Sequence, residues 1–362
     1  MKPLRFLGVI GVIGGLSLPL LAKCPISEGG TIVIRAAAGD LQVDTTGREA
    51  AVDVQVDGAG VQENCGSQKV EFTSTSTTAA KWKILTPKNV HLDLVTMAGN
   101  ISVGDVDGNV ILRTAGGSVT AGNIKGKGSL ITQAGSIKSG NIGGDAEVRS
   151  QGGTVEVGDI GGNADLHTTA GLIRAGNIAG NLTADGGRLI SIGKAAEVKA
   201  TTNSGDISIG DAARINAKSG KGHITSQRVS GPFQGHTESG DIRIDSAGAW
   251  VEASTGQGNI LVRLVPVNFD GDLHMDLQAG LGDVTVYLPQ RLRASIDSTV
   301  QRPAFQAPPI VSEFPVVPVR PAQGLIPTNK FYSPTRSESL LNGGGNKIVL
   351  HTSLGKITIR KN

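Results

Sequence analysis

The sequence predicts an all-β chain: a single-domain parallel β-helix, or β-solenoid, with coils of 17–18 residues. Three observations carry this expectation. Apolar residues recur at near-constant spacing at Ile101, Val119, Ile137, Val155, Ile173, Ile190, Ile207, Ile224, Ile242 and Ile260. The steps are 18, 18, 18, 18, 17, 17, 17, 18 and 18 residues, and a fixed period of this length marks stacked repeats. Glycines keep the same register: Gly99, Gly117, Gly135, Gly153 and Gly171 stand two before the marker, and Gly104, Gly122, Gly140, Gly158 and Gly176 three after it. Aromatic residues are only 3% of the chain, and none falls between Trp82 and Phe233. The expected core is therefore a narrow one of Ile, Val, Leu and Ala, with rings near the ends.

The elements follow in chain order. Lys2 and Arg5 precede an apolar run that ends at Ala22. This reads as a secretory leader over 1–22, too short for a permanent membrane span. Residues 23–93 alternate apolar and polar at Thr31, Ile32, Val33 and Ile34 and at Val52, Val54 and Val56. They are expected to form an irregular, strand-rich cap leading into the solenoid.

Regular coils are expected over 94–265, about nine or ten of them. Each holds two short period-2 strands, such as Ile101 with Val103 and Val110 with Leu112, and one inward residue near the middle corner. Val106, Ile124, Ile142, Ile160 and Ile178 supply that residue. A third set of glycines, Gly108, Gly126, Gly144, Gly162 and Gly180, completes the corners, where glycine takes positive φ without steric cost. A β-sandwich does not require identical corners at constant register.

Residues 266–302 read as less regular coils. Prolines crowd the stretch from Pro303 to Pro334, so 303–345 reads as a Pro/Gly-rich excursion. Phe305, Phe314, Phe331 and Tyr332 on it would dock on a partner or pack over the last coils. Ile348, Leu350, Ile357 and Ile359 then close the chain as strands within 346–362.

Asn and Asp line the corners at Asp105, Asn123, Asn141, Asp159, Asn177 and Asp211, and again at Asn109, Asp145, Asn163 and Asn181. Such residues hydrogen-bond nearby backbone and tolerate tight turns. The run Asp105, Val106, Asp107, Gly108, Asn109 has some likeness to a calcium loop, but a distal bidentate Glu is missing. The expectation is a structural ladder, with no metal site and no cofactor.

Two cysteines behind a leader predict a Cys24–Cys65 disulfide, worth about 4 kcal/mol in the chain-entropy model. Leu21, Ala22, Lys23 and Cys24 also have some likeness to a lipoprotein box, but Lys23 occupies the place of a small residue. Lipid attachment at Cys24 is thus the lesser expectation.

The chain also resembles a known family. Thr114-Ala115-Gly116-Gly117-Ser118-Val119 with Gly122-Asn123-Ile124, and the tail Leu350-His351-Thr352-Ser353-Leu354-Gly355-Lys356-Ile357-Thr358-Ile359, are similar to the putative adhesin family of bacterial exported β-strand-repeat proteins. Ile310-Val311-Ser312-Glu313-Phe314-Pro315 and Leu341-Asn342-Gly343-Gly344-Gly345 strengthen the resemblance, which runs from about residue 82 to the end. It implies a β-helical fold at the cell surface or in the periplasm, and brings no catalytic residues with it.

Without Lys2 and Arg5 the chain carries 32 basic and 31 acidic residues, a formal charge of +1. That balance gives no support for nucleic acid as a partner. His91, His167, His223, His236, His274 and His351 show no metal-ligand spacing, and no nucleophile elbow is present. The carboxylates Asp270, Asp272 and Asp276 are the nearest thing to a hydrolase cluster. The expectation is a non-catalytic adhesion or interaction module binding a protein or glycan. The alternatives are an envelope scaffold assembling end to end through self-association, and, behind it, a polysaccharide lyase or hydrolase.

Overall fold

The computed structural model describes residues 20–57, 60–301, 309–319 and 334–362. The leader-like run up to Pro19, together with Phe305, Phe331 and Tyr332, lies outside them. Every regular element among the described residues is a β-strand. The strands join in one long, unclosed sheet, which fits a β-solenoid.

Parallel pairing repeats at the spacing of the sequence period. Val110–Thr114 pairs in register with Gly128–Thr132, and Gly128–Thr132 with Ala146–Ser150. On a second line Val119–Ala121 pairs with Ile137–Ser139, and Ile137–Ser139 with Val155–Val157. Isolated parallel bridges make a third line through Val106, Ile124, Ile142, Ile160 and Ile178. All ten marker residues are buried, none more than 1% exposed. Each buried Ile or Val contributes about 1.5–3 kcal/mol by leaving water.

Where the period drops to 17 the corner changes. Leu182 pairs with Val198, and the two short strands of the next coil fuse into Leu189–Thr202. This pairs with Asp206–Lys221 around the bend. The third line then continues through Ala195, Ala212, Val229, Ala247 and Leu264, all buried.

Two sequence-based reasons need correction. Gly117, Gly135, Gly153 and Gly171 do not have positive φ, although Gly99, Gly240 and Gly258 in the same line do. What all of them share is contact: a Cβ on Gly135 would run into the carbonyl of Gly117 in the coil below. The line is glycine because peptide planes stack there. Nor does the narrow core exclude rings. Phe233 is fully buried in a regular coil, in space left by Gly235, whose added Cβ would meet the Phe233 ring at 2.5 Å.

At the ends, coil order departs from chain order. Thr31–Ala36 lies between Lys69–Ser74 and His91–Thr96, parallel to both. Gly39–Asp44 lies likewise between Ala80–Leu85 and Ile101–Val103. The first coil of the chain is therefore second in the stack, and segment 23–93 is itself coiled. Its outer coil holds the buried rings Phe72 and Trp82.

The C-terminal end mirrors this. Asn346–Leu354 sits between Met275–Leu281 and Ala294–Val300. Ile357–Lys361 sits between Val284–Leu288 and Ile310–Ser312. Both ends finish in antiparallel strands. At the first, Leu20–Pro25 pairs with Ala51–Asp57, Ala51–Asp57 with Ala80–Leu85, and Val61–Cys65 with Lys69–Ser74. At the second, Val317–Val319 pairs with Thr335–Leu341, and Thr335–Leu341 with Ala294–Val300.

The described part of the proline-rich excursion belongs to this closure. Phe314 is 8% exposed, with the Lys361 ammonium 5.5 Å from its ring centroid. The Cys24–Cys65 disulfide is formed, with Cα atoms 5.4 Å apart, and ties the strands Leu20–Pro25 and Val61–Cys65 together. A thiol held in that bridge is not free for acylation.

Candidate interaction surface

Each coil adds one residue to every surface row, so surface chemistry is arranged in lines along the stack. The corner Asn/Asp line is one of them. Asp105 Oδ1 accepts the backbone N–H of Asn123 (2.8 Å), Asn123 that of Asn141 (3.0 Å), Asn141 that of Asp159 (2.8 Å), and Asp159 that of Asn177 (2.7 Å). Asn109, Asp145 and Asn163 do the same on the parallel line. The bonds join each coil to the next, so the side chains act as clips between coils.

This geometry occupies the carboxylates of the calcium-like run. Asp107 pairs with Lys125 at 2.9 Å, and Asp105 has the Lys88 ammonium 4.0 Å away besides its backbone donor. Among the described residues no group of three or more His, Cys, Asp or Glu side chains is placed to hold a metal.

The hydrolase-like carboxylates do not converge. Asp272 Oδ1 bonds His274 Nδ1 at 2.7 Å, and this hydrogen bond holds the Asp272 carboxyl below the usual carboxylate range. Asp276 accepts from Gln278 Nε2 at 2.9 Å. The Asp270 N–H bonds Asn268, within its own loop. His274 stacks on Trp250 with centroids 5.2 Å apart. His91 and His223 take places in corner lines, each accepting a backbone N–H at Nδ1, from Asn109 (2.8 Å) and Asp241 (3.0 Å). His236 bonds Ser254 at 2.7 Å.

Beyond Asn177 the first corner line changes character. It passes through Lys194, Asp211 and Arg228, in register. Beside it lie the small residues Gly143, Gly161, Ala179, Ala196 and Ala213. Together they form a shallow groove along the stack from Asn141 to Arg228. At ~4.8 Å per coil it is about 24 Å long. One side is small and weakly polar; the other carries amides, carboxylates and two cations. The groove can hold an extended chain, with repeated hydrogen-bonding groups at the coil spacing.

A further line is not evident from residue type alone. Thr114, Thr132, Ser150, Thr168, Thr202, Ser219, Thr237 and Thr255 are all buried. Each stands five residues before a marker, so the same period contains the signal. The hydroxyls of Thr114, Thr132, Ser150 and Thr168 donate to the carbonyls of Gly99, Gly117, Gly135 and Gly153 at 2.8, 2.6, 2.8 and 2.7 Å. They hold the stack that presents the groove.

No protein-family model matches the chain, and no curated protein matches it. Among solved structures, a putative cell adhesion protein from Clostridium sporogenes is 8% identical, over 95% of this chain and 100% of that one, with a TM-score of 0.18. A putative adhesin from Bacteroides fragilis is 13% identical, over 75% of this chain and 98% of that one, with a TM-score of 0.21. A putative adhesin from Parabacteroides distasonis is 13% identical, over 75% and 97%, with a TM-score of 0.20. At these TM-scores the likeness carries no argument for function. No helix among the described residues is long and apolar enough to cross a membrane.

Proposed function

We propose that this chain is an exported parallel β-helix that acts by binding, without turnover, as an adhesion or interaction module at the cell surface or in the periplasm. The observation that supports it best is the groove from Asn141 to Arg228, which sets one polar or charged side chain in every coil along its length. Extended repeating surfaces suit extended partners, a protein segment or a glycan chain, better than a small substrate. The disulfide fits an oxidising compartment, as does the leader-like start.

The test is binding of the purified mature protein to glycan and protein arrays. Saturable binding that falls at least tenfold in Ala179→Glu and Ala196→Glu, with unchanged melting, supports the groove. Cleavage of any glycan by the wild type overturns the non-catalytic reading. The end-to-end scaffold is the second reading. The antiparallel strands at both ends weigh against it, because they break the parallel register that another copy would extend. Sedimentation that rises with concentration would restore it.

A further inference from the structure

We infer that the export leader ends at the Ser17–Leu18 bond, and that the mature chain keeps residues 20–22 as part of its fold. The inference rests on the export reading above and departs from a leader that runs through Ala22.

The first observation is the end strand Leu20–Pro25. It pairs with Ala51–Asp57, Leu20 opposite Val56, Ala22 opposite Val54 and Cys24 opposite Val52. Ala22 packs against the core, and Cys24 next to it on the same face is fully buried. Cleavage after Ala22 would remove half of this strand. It would bare the backbone of 54–56, whose valines sit in the core at 1% exposure. An open edge of that kind exposes unpaired backbone groups and invites aggregation. It would also leave the disulfide anchored on the second residue of the chain.

The second observation is the chemistry of the candidate bonds. Leader removal favours small residues at the first and third places before the cut. Ala22 satisfies the first place, but Leu20 fills the third. Ser17 and Gly15 satisfy both. Ahead of them, 6–13 is an apolar stretch interrupted only by Gly8 and Gly11, and Lys2 and Arg5 are basic, so both features of a leader are present without 18–22. The step is hydrolysis by the leader peptidase of the export route. Water adds across the Ser17–Leu18 amide; its oxygen goes to the Ser17 carbonyl carbon and a proton to the Leu18 nitrogen.

The experiment is expression of the full chain in an exporting bacterium, followed by intact mass and N-terminal sequencing of the mature product. A start at Leu18 is the expected result, and Ser17→Tyr should block or move the cut. A start at Lys23 or Cys24 overturns the inference but leaves export standing. A chain exported without any cut overturns the inference alone, and a chain retained uncut in the cytoplasm overturns both. A second readout is independent of the peptidase. Refolded, disulfide-bonded chains starting at Leu18 and at Lys23 are compared by melting and hydrogen exchange. The shorter one should lose protection at 54–56 and melt at least about 2–4 °C lower. Identical melting and protection in the two would also overturn it.

Discussion

The Thr132 hydroxyl lies between two stacked peptide groups: it donates to the Gly117 carbonyl of the coil below at 2.6 Å and accepts the Gly135 N–H of its own coil at 3.2 Å. Gly135 stands directly over Gly117, so close that a Cβ on Gly135 would meet the Gly117 carbonyl, as one on Gly117 would meet that of Gly99. The hydroxyl thus satisfies two backbone groups that have nowhere else to turn. Replacing Thr132 by Val keeps the volume and leaves both unsatisfied, at a cost of about 1–3 kcal/mol. Thr132→Ser should be near neutral in this respect, since Ser150 already performs the task one coil on. Denaturant melts of the two variants check this; equal loss in both would rule out the hydroxyl as the cause.

Ile137 is 1% exposed and faces the core between Val119 and Val155. Ile137→Asp places a carboxylate there without a partner, at a cost of several kcal/mol. Coils contact mainly their neighbours, so protection should be lost first around 119–155 and then outward. Hydrogen exchange resolved by segment reads this order. Melting indistinguishable from wild type would mean that the inward register is misassigned.

Deleting 303–334 should destabilise the protein at its C-terminal end. The described part of this stretch includes Ile310–Ser312, paired with Ile357–Lys361, and the buried Phe314. A large drop in melting temperature is expected. An unchanged melting curve with loss of partner binding would instead assign the stretch to recognition.

Stability should fall in acid. The hydrogen bond with Lys127 and the Asn163 N–H hold the Asp145 carboxyl below its ordinary 3.8, the hydrogen bond from His274 does the same for Asp272, and that from Lys23 lowers Glu49 from 4.5. A depressed folded-state value means that the charged form is favoured by folding. The contribution is complete above the ordinary values and is lost as pH falls through the lower, folded ones. These groups are exposed, so each effect is small and weakened by salt. The melting temperature should be flat from about pH 7 to pH 5 and decline below pH ~4. A decline already complete at pH 5 would point to other groups.

Calcium should leave the melting temperature unchanged. Asp105 and Asp107 are engaged by backbone N–H and lysine ammonium groups, which leaves too few free oxygens for a cage. A rise of several degrees in millimolar calcium, reversed by chelator, would show a site that these contacts do not predict.

The repeat made the regular coils legible. Ile101 to Ile260 all point inward because a period near 18 residues with glycine corners has few other ways to bury them. The Thr132 line was equally periodic, but Ser and Thr read as surface residues unless their partners are known, and those partners lie one coil away. The place of Phe233 inside a regular coil is not legible, because its space comes from Gly235, a local exchange that composition does not reveal. The end coils were hidden for a different reason. The pairing of Thr31–Ala36 with His91–Thr96 spans the intervening outer coil, and strand patterns specify faces, not neighbours. The groove was illegible because it follows from the stacking of Gly143, Gly161, Ala179, Ala196 and Ala213, none of them noteworthy alone.

The interleaved ends set the order in which the molecule can be completed. A simple solenoid grows like a stack of coins, each turn laid on the last as the chain emerges. Here Asn346–Leu354 and Ile357–Lys361 belong in a slot between 275–288 on one side and the strands Ala294–Val300 and Ile310–Ser312, which precede them in the chain, on the other. The penultimate turn must therefore wait, or stand off, until the chain terminus arrives to fill the gap. Long-range closures of this kind slow folding, because the entropy of the loop is lost before any contact rewards it. On the export route proposed above, such a fold cannot finish while the chain is still threading. The final closure belongs to the released molecule, and until then Met275–Leu281 and Val284–Leu288 present bare edges.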